Sequence, residues 1–268
     1  MVVLYCHQGW RRMKEALIEG CINYLKFGYD FDGVDFPEMD EELFRKILEG
    51  DESADDIISS FITAHSLDVK YDASFDEIGR YPDSRCLVNY FNIRDRAKLK
   101  KIEIFISSVR ILDLFLNPID MGFSFDYLKA LHNKIFGDIY PSAGMIRNKD
   151  ESKRSEYCKS IYPEKMASDI FDKLRNAKFL RGLDDIDEFI NELAYFMGEV
   201  EALHPFMDGN GRTTRYFFTD LARKAGYDII WSATDPDRYL EGNIAAIDGD
   251  YQPLVDVLEE AVIPIVED

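Results

Sequence analysis

Residues 186–203, IDEFINELAYFMGEVEAL, put Ile186, Phe189, Ile190, Leu193, Met197, Val200 and Leu203 on one stripe at helical spacing. A stripe of that length has to be buried, so this stretch is predicted to be a central helix. It runs straight into HPFMDGNGRTTR at 204–215. A second helix is predicted from about Gly211 to Ala225, stopped by Gly226. The twelve-residue string is therefore a helix–loop–helix junction.

The flanking text fits a mostly α chain. Residues 98–116 carry a rich apolar helical face, and 124–136 open on Ser124 as an N-cap candidate. An irregular stretch, 137–163, leads to a helix expected over Glu164–Lys178. Residues 1 to about 68 are acidic and read as short helices joined by a turn-rich piece, GYDFDGVDFPEMD, at 28–40. Sheet content looks minimal. Hydrophobic residues at 46% allow a substantial core in 268 residues, so disorder is not expected. The formal charge of -19 argues against a nucleic-acid or anionic-membrane partner. It leaves room for a small anion in a local basic pocket. No apolar run is long enough to span a bilayer, and the start MVVLYCHQGWRRMK has the wrong order for a secretory signal. Cys6, Cys21, Cys86 and Cys158 show no metal or redox spacing. A cytoplasmic protein with reduced thiols is expected.

The junction carries chemistry. Gly209-Asn210-Gly211 just before a helix start lets backbone N–H groups approach a ligand, and the helix dipole favours an anion there. Arg212 and Arg215 lie three apart, on one face of the first turn, where cations oppose the dipole unless an anion covers them. Polyphosphate fits forked guanidinium groups. Surface ion pairs are the plainer reading of the two arginines. Asp208 next to a phosphate site suits a bridging magnesium ion; an N-cap role is the alternative. His204 brings an imidazole, a group that can accept a proton from an attacking hydroxyl. Base, metal ligand and anion cradle together describe transfer of a phosphorus group from a nucleotide to a hydroxyl.

The string resembles the signature of the Fic family, HPFx[DE]GN[GK]RxxR, at every specified position. The likeness continues through 81–103, 128–147, 179–206 and 237–254, covering roughly residues 75–260. It implies a Fic-type helical bundle with a short β-hairpin flap near 152–162, plus a small N-terminal helical region. The domains expected are 1–68 and a Fic domain at 69–268. It also implies protein AMPylation, with AMP passing from ATP to a Ser, Thr or Tyr hydroxyl of an unidentified target protein. Carried over, His204 is the general base and Asp208 holds Mg2+ against the α- and β-phosphates. Gly209, Asn210 and Gly211 form the anion hole. Arg212 neutralises the leaving diphosphate, and Arg215 binds the γ-phosphate. Tyr239 and Asn243 are candidates for the base pocket by position.

Fic enzymes are commonly restrained by a helix carrying [ST]xxxE[GN], whose glutamate pairs with the second arginine. EALIEG at 15–20 fits its end, with Glu15 where Ser or Thr belongs. Glu19 is thus the expected inhibitory carboxylate. FRKILEGDESADDIISSFITAH at 44–65 resembles the C-terminal helices of the small antitoxins of Fic toxins. Residues 1–68 then look like an antitoxin joined to its toxin, with an insertion around 28–40. Two other functions fit the residues. One is removal of AMP, with Glu19 positioning water; the other is a nucleotide-sensing module whose catalysis has lapsed.

Overall fold

The computed structural model describes residues 2–67, 79–148 and 163–265, with residues 2–13 described as backbone only. Three helices come first: α1 (Val2–Phe31), α2 (Glu38–Glu49) and α3 (Ala54–Ala64). Seven more follow: α4 (Arg96–Leu116), α5 (Phe125–Phe136), α6 (Pro163–Asn176), α7 (Ile186–Leu203), α8 (Asn210–Ala225), α9 (Pro236–Ile247) and α10 (Gln252–Glu259). Two three-residue strands, β1 (Tyr227–Ile229) and β2 (Val262–Pro264), pair antiparallel with Asp228 opposite Ile263.

Local chemistry sets most of these boundaries. Ser124 accepts a hydrogen bond from the Tyr127 amide, Asp95 from Lys98, and Asp185 from Asp187 and Glu188. Each such cap is worth about 1 kcal/mol. Gly226, at φ 97°, closes α8 in the left-handed region that side chains disfavour. The expected central helix over 186–203 is α7, and its stripe from Phe189 to Leu203 is buried among α6, α8, α9 and α10, with Ile186 half-buried at its start.

The N-terminal region departs from expectation. It does not open on short helices: α1 is one helix of 30 residues that runs through Gly28 to Phe31. Ile18, Ile22, Leu25 and Tyr29 recur at helical spacing and all are buried. Burial of that stripe outweighs the ~1 kcal/mol that a helical glycine costs. The chain turns only afterwards, at Gly33, whose φ of 63° follows the last turn of α1. The flap expected at 152–162 lies outside the described residues, and the β1–β2 pair is a different element.

Among the described residues one buried cluster spans both of the expected domains. Ile22, Phe44 and Ile57 belong to the same buried cluster as Phe105, Leu193 and Leu221. α1 packs on α4 and α9, and α2 and α3 pack on α4. No described helix is long and apolar enough to cross a membrane.

Candidate active site

Pro205 disfavours a right-handed helical residue before it, so α7 has to end at His204. His204 takes a left-handed conformation, φ 42°, which costs a non-glycine residue roughly 1–2 kcal/mol. The buried Arg147 holds this corner. Its Nε donates to the His204 carbonyl at 2.6 Å, and its backbone N–H donates to that of Pro205 at 2.8 Å. The imidazole is buried, with Nδ1 3.9 Å from Oε2 of Glu201.

Behind the corner the loop is braced from within. The Asn210 side chain accepts from the Phe206 amide at 2.9 Å and donates to the Phe206 carbonyl at 2.8 Å. Its amide group is therefore spent on the loop, and its contribution to an anion is its backbone N–H. The Phe206 ring stacks on His132 of α5 at 3.9 Å between centroids. The Gly144 N–H donates to Nδ1 of His132 at 2.8 Å. That fixes the proton on Nε2, which donates to the Asp208 carbonyl at 2.9 Å. Burial pushes the His132 pKa down to about 4, so this pin is neutral. Gly209, at φ 78°, is the N-cap of α8, and a Cβ there would lie 2.4 Å from the Phe136 ring. No other residue fits. With no side chain capping α8, its first N–H groups face the hollow above.

Asp208 is not the N-cap. Its Oδ1 accepts from the Gly209 amide at 2.9 Å, and it lines the hollow together with His204, Gly209, Asn210, Gly211 and both arginines. Arg212 lies over the Phe136 ring, donates to Ser107 Oγ at 2.9 Å and pairs with Glu103 of α4. Burial raises the Glu103 carboxyl above its ordinary range, against the pull of Arg212. The Tyr140 hydroxyl also donates to Glu103. Arg215 is buried beneath α1, its guanidinium 4.7 Å from the Phe31 ring centroid and 5.6 Å from that of Phe27. Its Nη1 has no hydrogen-bond partner.

The carboxylate that reaches this hollow from α1 is Asp32. It lines the hollow with Phe31; its Oδ2 is buried without a hydrogen-bond partner, 3.6 Å from Arg212 Nε. Glu19 stays outside. It pairs with Arg45 of α2, on a half-exposed surface that also holds Glu15 and Glu41. The expectation that Glu19 pairs with Arg215 is corrected in that respect. The structure places Glu19 more than three helical turns before the end of α1 that covers the cradle. Tyr239 and Asn243 of α9 are buried together, Asn243 Nδ2 donating to the Tyr239 carbonyl at 2.8 Å. Neither lines the hollow, and Tyr239 packs against Phe27 and Phe31.

Sequence reasoning missed Asp32, Glu103 and His132. Only Asp32 had a readable signal. GYDFDG at 28–33 has the spacing of [ST]xxxE[GN], with Gly28 for Ser or Thr and a shorter acid for Glu.

The sequence profile described as Fic/DOC family matches residues 122–222. A protein adenylyltransferase, VbhT of Bartonella schoenbuchensis, is 37% identical over 184 residues, 67% of this chain; the match spans only 37% of VbhT. The solved BepC protein of Bartonella tribocorum, with bound AMPPNP, superposes with a TM-score of 0.64 at 22% identity, over 71% of this chain and all of that one. The probable protein adenylyltransferase y4lH of Sinorhizobium fredii is 33% identical over 187 residues, 69% of this chain and 95% of its own length. With nearly the whole of such a relative matched, and the family profile seated on the helices that build the cradle, this chain belongs to the Fic/DOC family.

Proposed function

We propose that this chain transfers AMP from ATP to a Ser, Thr or Tyr hydroxyl of a protein, and that the end of α1 restrains the transfer. The observation that carries the first part is the uncapped start of α8, with His204 and Asp208 on the loop before it and Arg212 and Arg215 on its own first turns, all lining one hollow. The curated relatives named protein adenylyltransferases support the same reading. In this reading the hydroxyl oxygen attacks the α-phosphorus and His204 takes its proton. The bond to the bridging oxygen breaks, and diphosphate leaves with the electron pair. Backbone N–H groups at the start of α8 hold the oxygens on which charge develops. Arg212, fixed by Glu103, faces the departing charge, and Arg215 holds the far phosphate.

The residues fit magnesium in the manner this ion prefers. Asp208 is not used as a helix cap, and one carboxylate plus substrate phosphates meets its needs without a protein cage. Among the described residues no cluster of three or more acidic, His or Cys side chains offers such a cage. Magnesium bound by Asp208 would draw charge off the phosphates. Free thiols at Cys21 and Cys86 suit a cytoplasmic setting.

The restraint rests on space and charge. The hollow over the cradle measures about 120 Å³, and nucleotide-sized ligands take pockets of ~300–1,000 Å³. Phe31 and Asp32 line the hollow on the side of α1. Asp32 competes with phosphate for Arg212, while Phe27 and Phe31 cover Arg215. In this reading the restraining carboxylate of the N-terminal region is Asp32, not Glu19. AMP removal by a water positioned at Glu19 finds no support, because Glu19 faces Arg45.

The test is incubation of wild type, Asp32→Ala and His204→Ala with α-labelled ATP, magnesium and cell lysate. Asp32→Ala should label protein about tenfold more than wild type, the order expected for removing one charge that competes with phosphate for Arg212. His204→Ala should label nothing. Equal labelling by wild type and Asp32→Ala would remove the restraint; no label in any variant would remove the transfer itself.

A further inference from the structure

Away from the cradle, the end of α1, the start of α2, the end of α3 and the start of α4 enclose a cavity of about 430 Å³. That volume falls within the ~300–1,000 Å³ of small-molecule sites. It shares no lining residue with the hollow over α8. Much of its wall is apolar. Tyr29, Ile102 and Phe105 are buried there, and the half-buried Phe61 stacks on Phe105 at 4.1 Å between centroids. Asp35 and Asp40 line the side of α1 and α2, and the Tyr29 hydroxyl donates to Asp40 Oδ2 at 2.9 Å.

α4 supplies the opposite charge. Lys98 and Lys101 lie three apart and share a face with Ile102 and Phe105, so one side of the helix is cationic at its start and apolar further on. Both lysines are exposed, and among the described residues neither has an ion-pair partner. In a chain with 51 acidic and 32 basic side chains, two unpaired cations at the edge of one apolar cavity favour an anionic group there. Flat aromatic walls favour a ring beside it.

The same cavity touches the segment that covers the cradle. Tyr29 and Val34 both line it, and the Val34 N–H donates to the Tyr29 carbonyl at 2.9 Å. That bond closes a turn whose interior holds Phe31 and Asp32. On the far side of the turn Lys100 of α4 donates to the Asp32 carbonyl. We propose that the cavity binds a small aromatic carboxylate, with its ring among Tyr29, Phe61 and Phe105 and its carboxylate on Lys98 and Lys101, and that the bound molecule steadies the end of α1 over the cradle. The second half rests on the restraint described above. A ligand that bridges α4 to the α1–α2 turn binds the covered state better than the open one, because opening withdraws Tyr29 and Val34 from it. It therefore opposes ATP, and ATP opposes it by the same factor.

The experiment is calorimetric titration of naphthylacetate into the full chain and into the double variant Lys98→Gln with Lys101→Gln. Naphthylacetamide and naphthylmethylamine serve as the neutral and cationic probes with the same rings. Naphthylacetate should bind wild type about tenfold more tightly than the double variant, the order expected for two exposed charge contacts. Naphthylacetamide should bind both proteins alike. Saturating naphthylacetate should weaken ATP binding to wild type about fivefold, and saturating ATP should weaken naphthylacetate binding equally. Equal naphthylacetate affinity for the two proteins, or tighter binding of the amine, would overturn the site. ATP affinity that ignores bound naphthylacetate would overturn its action on α1. Weakening of ATP that persists undiminished in the double variant would put the probe in the cradle itself and overturn both. No readout needs turnover, so the result stands apart from whether AMP is transferred, and labelling by Asp32→Ala decides the restraint separately.

Discussion

A loop that offers backbone N–H groups to an anion has to be held from behind, and here side chains far apart in sequence do the holding. Asn210 closes the loop on Phe206, and His132 reaches over from α5 to the Asp208 carbonyl. His132 gives a pH dependence of definite sign. Its pKa is about 4 in the folded chain and about 6.5 when exposed, so between those values the unfolded chain binds one more proton. Stability from this group is complete above pH 6.5 and is lost as pH falls toward 4. Between pH 7 and pH 5 wild type should lose about 2 kcal/mol more than His132→Gln, measured by denaturant unfolding. Equal losses would mean that His132 is protonated in the fold. His204, Asp208, the glycines and the arginines were legible because they sit in one contiguous string whose chemistry reads locally. His132 and Glu103 were not, because each is an ordinary helix residue until the fold sets it beside a cradle residue, Asp208 or Arg212, more than seventy positions away in the chain.

At the scale of the element, the end of α1 lies over the cradle, with Phe27 and Phe31 against Arg215. The boundaries of α5, α7 and α8 were readable from caps and periodicity, since Ser124, Asp185 and Gly226 act within a few residues. The end of α1 was not readable. Its glycine and its aspartates carry turn chemistry, and only the burial of Tyr29 and Phe27 keeps the helix going. Phe27 is the pivot. It packs 5.5 Å from Trp231 and 5.8 Å from Tyr239 between ring centroids, and it covers Arg215. Phe27→Ala removes a core ring, which costs about 3–5 kcal/mol, and loosens α1 over the cradle. The melting temperature should fall while ATP binds about tenfold more tightly in calorimetry, the two moving in opposite directions because the lost contacts favour the covered state. A variant that loses stability and gains no affinity would show that α1 is packing alone.

For the molecule as a whole, the question is whether residues 1–67 are a removable piece or part of the core. The sequence suggested a boundary, because the texture changes near residue 68 and the resemblance to an antitoxin ends there. The structure joins the two parts by aromatic contacts that no linear pattern announces. Tyr24 meets Phe115 at 5.2 Å, Phe44 meets Phe105 at 5.6 Å, and Phe61 stacks on Phe105 at 4.1 Å. Rings buried on both sides of one interface resemble a domain core cut in half, the mark of an obligate partner. A chain cut within 68–78 keeps every one of these contacts. Co-expressed fragments 1–67 and 79–268 should therefore copurify as a one-to-one pair and label protein as weakly as the intact chain. Fragment 79–268 alone exposes Phe105, Phe115 and Trp231 and should aggregate or melt at a much lower temperature. Raised labelling on its dilution from the pair, reversed by added 1–67, would make the N-terminal region a brake that works without its tether. Fragments that purify apart, each folded, would instead make the region a separate domain and leave the restraint dependent on the covalent link.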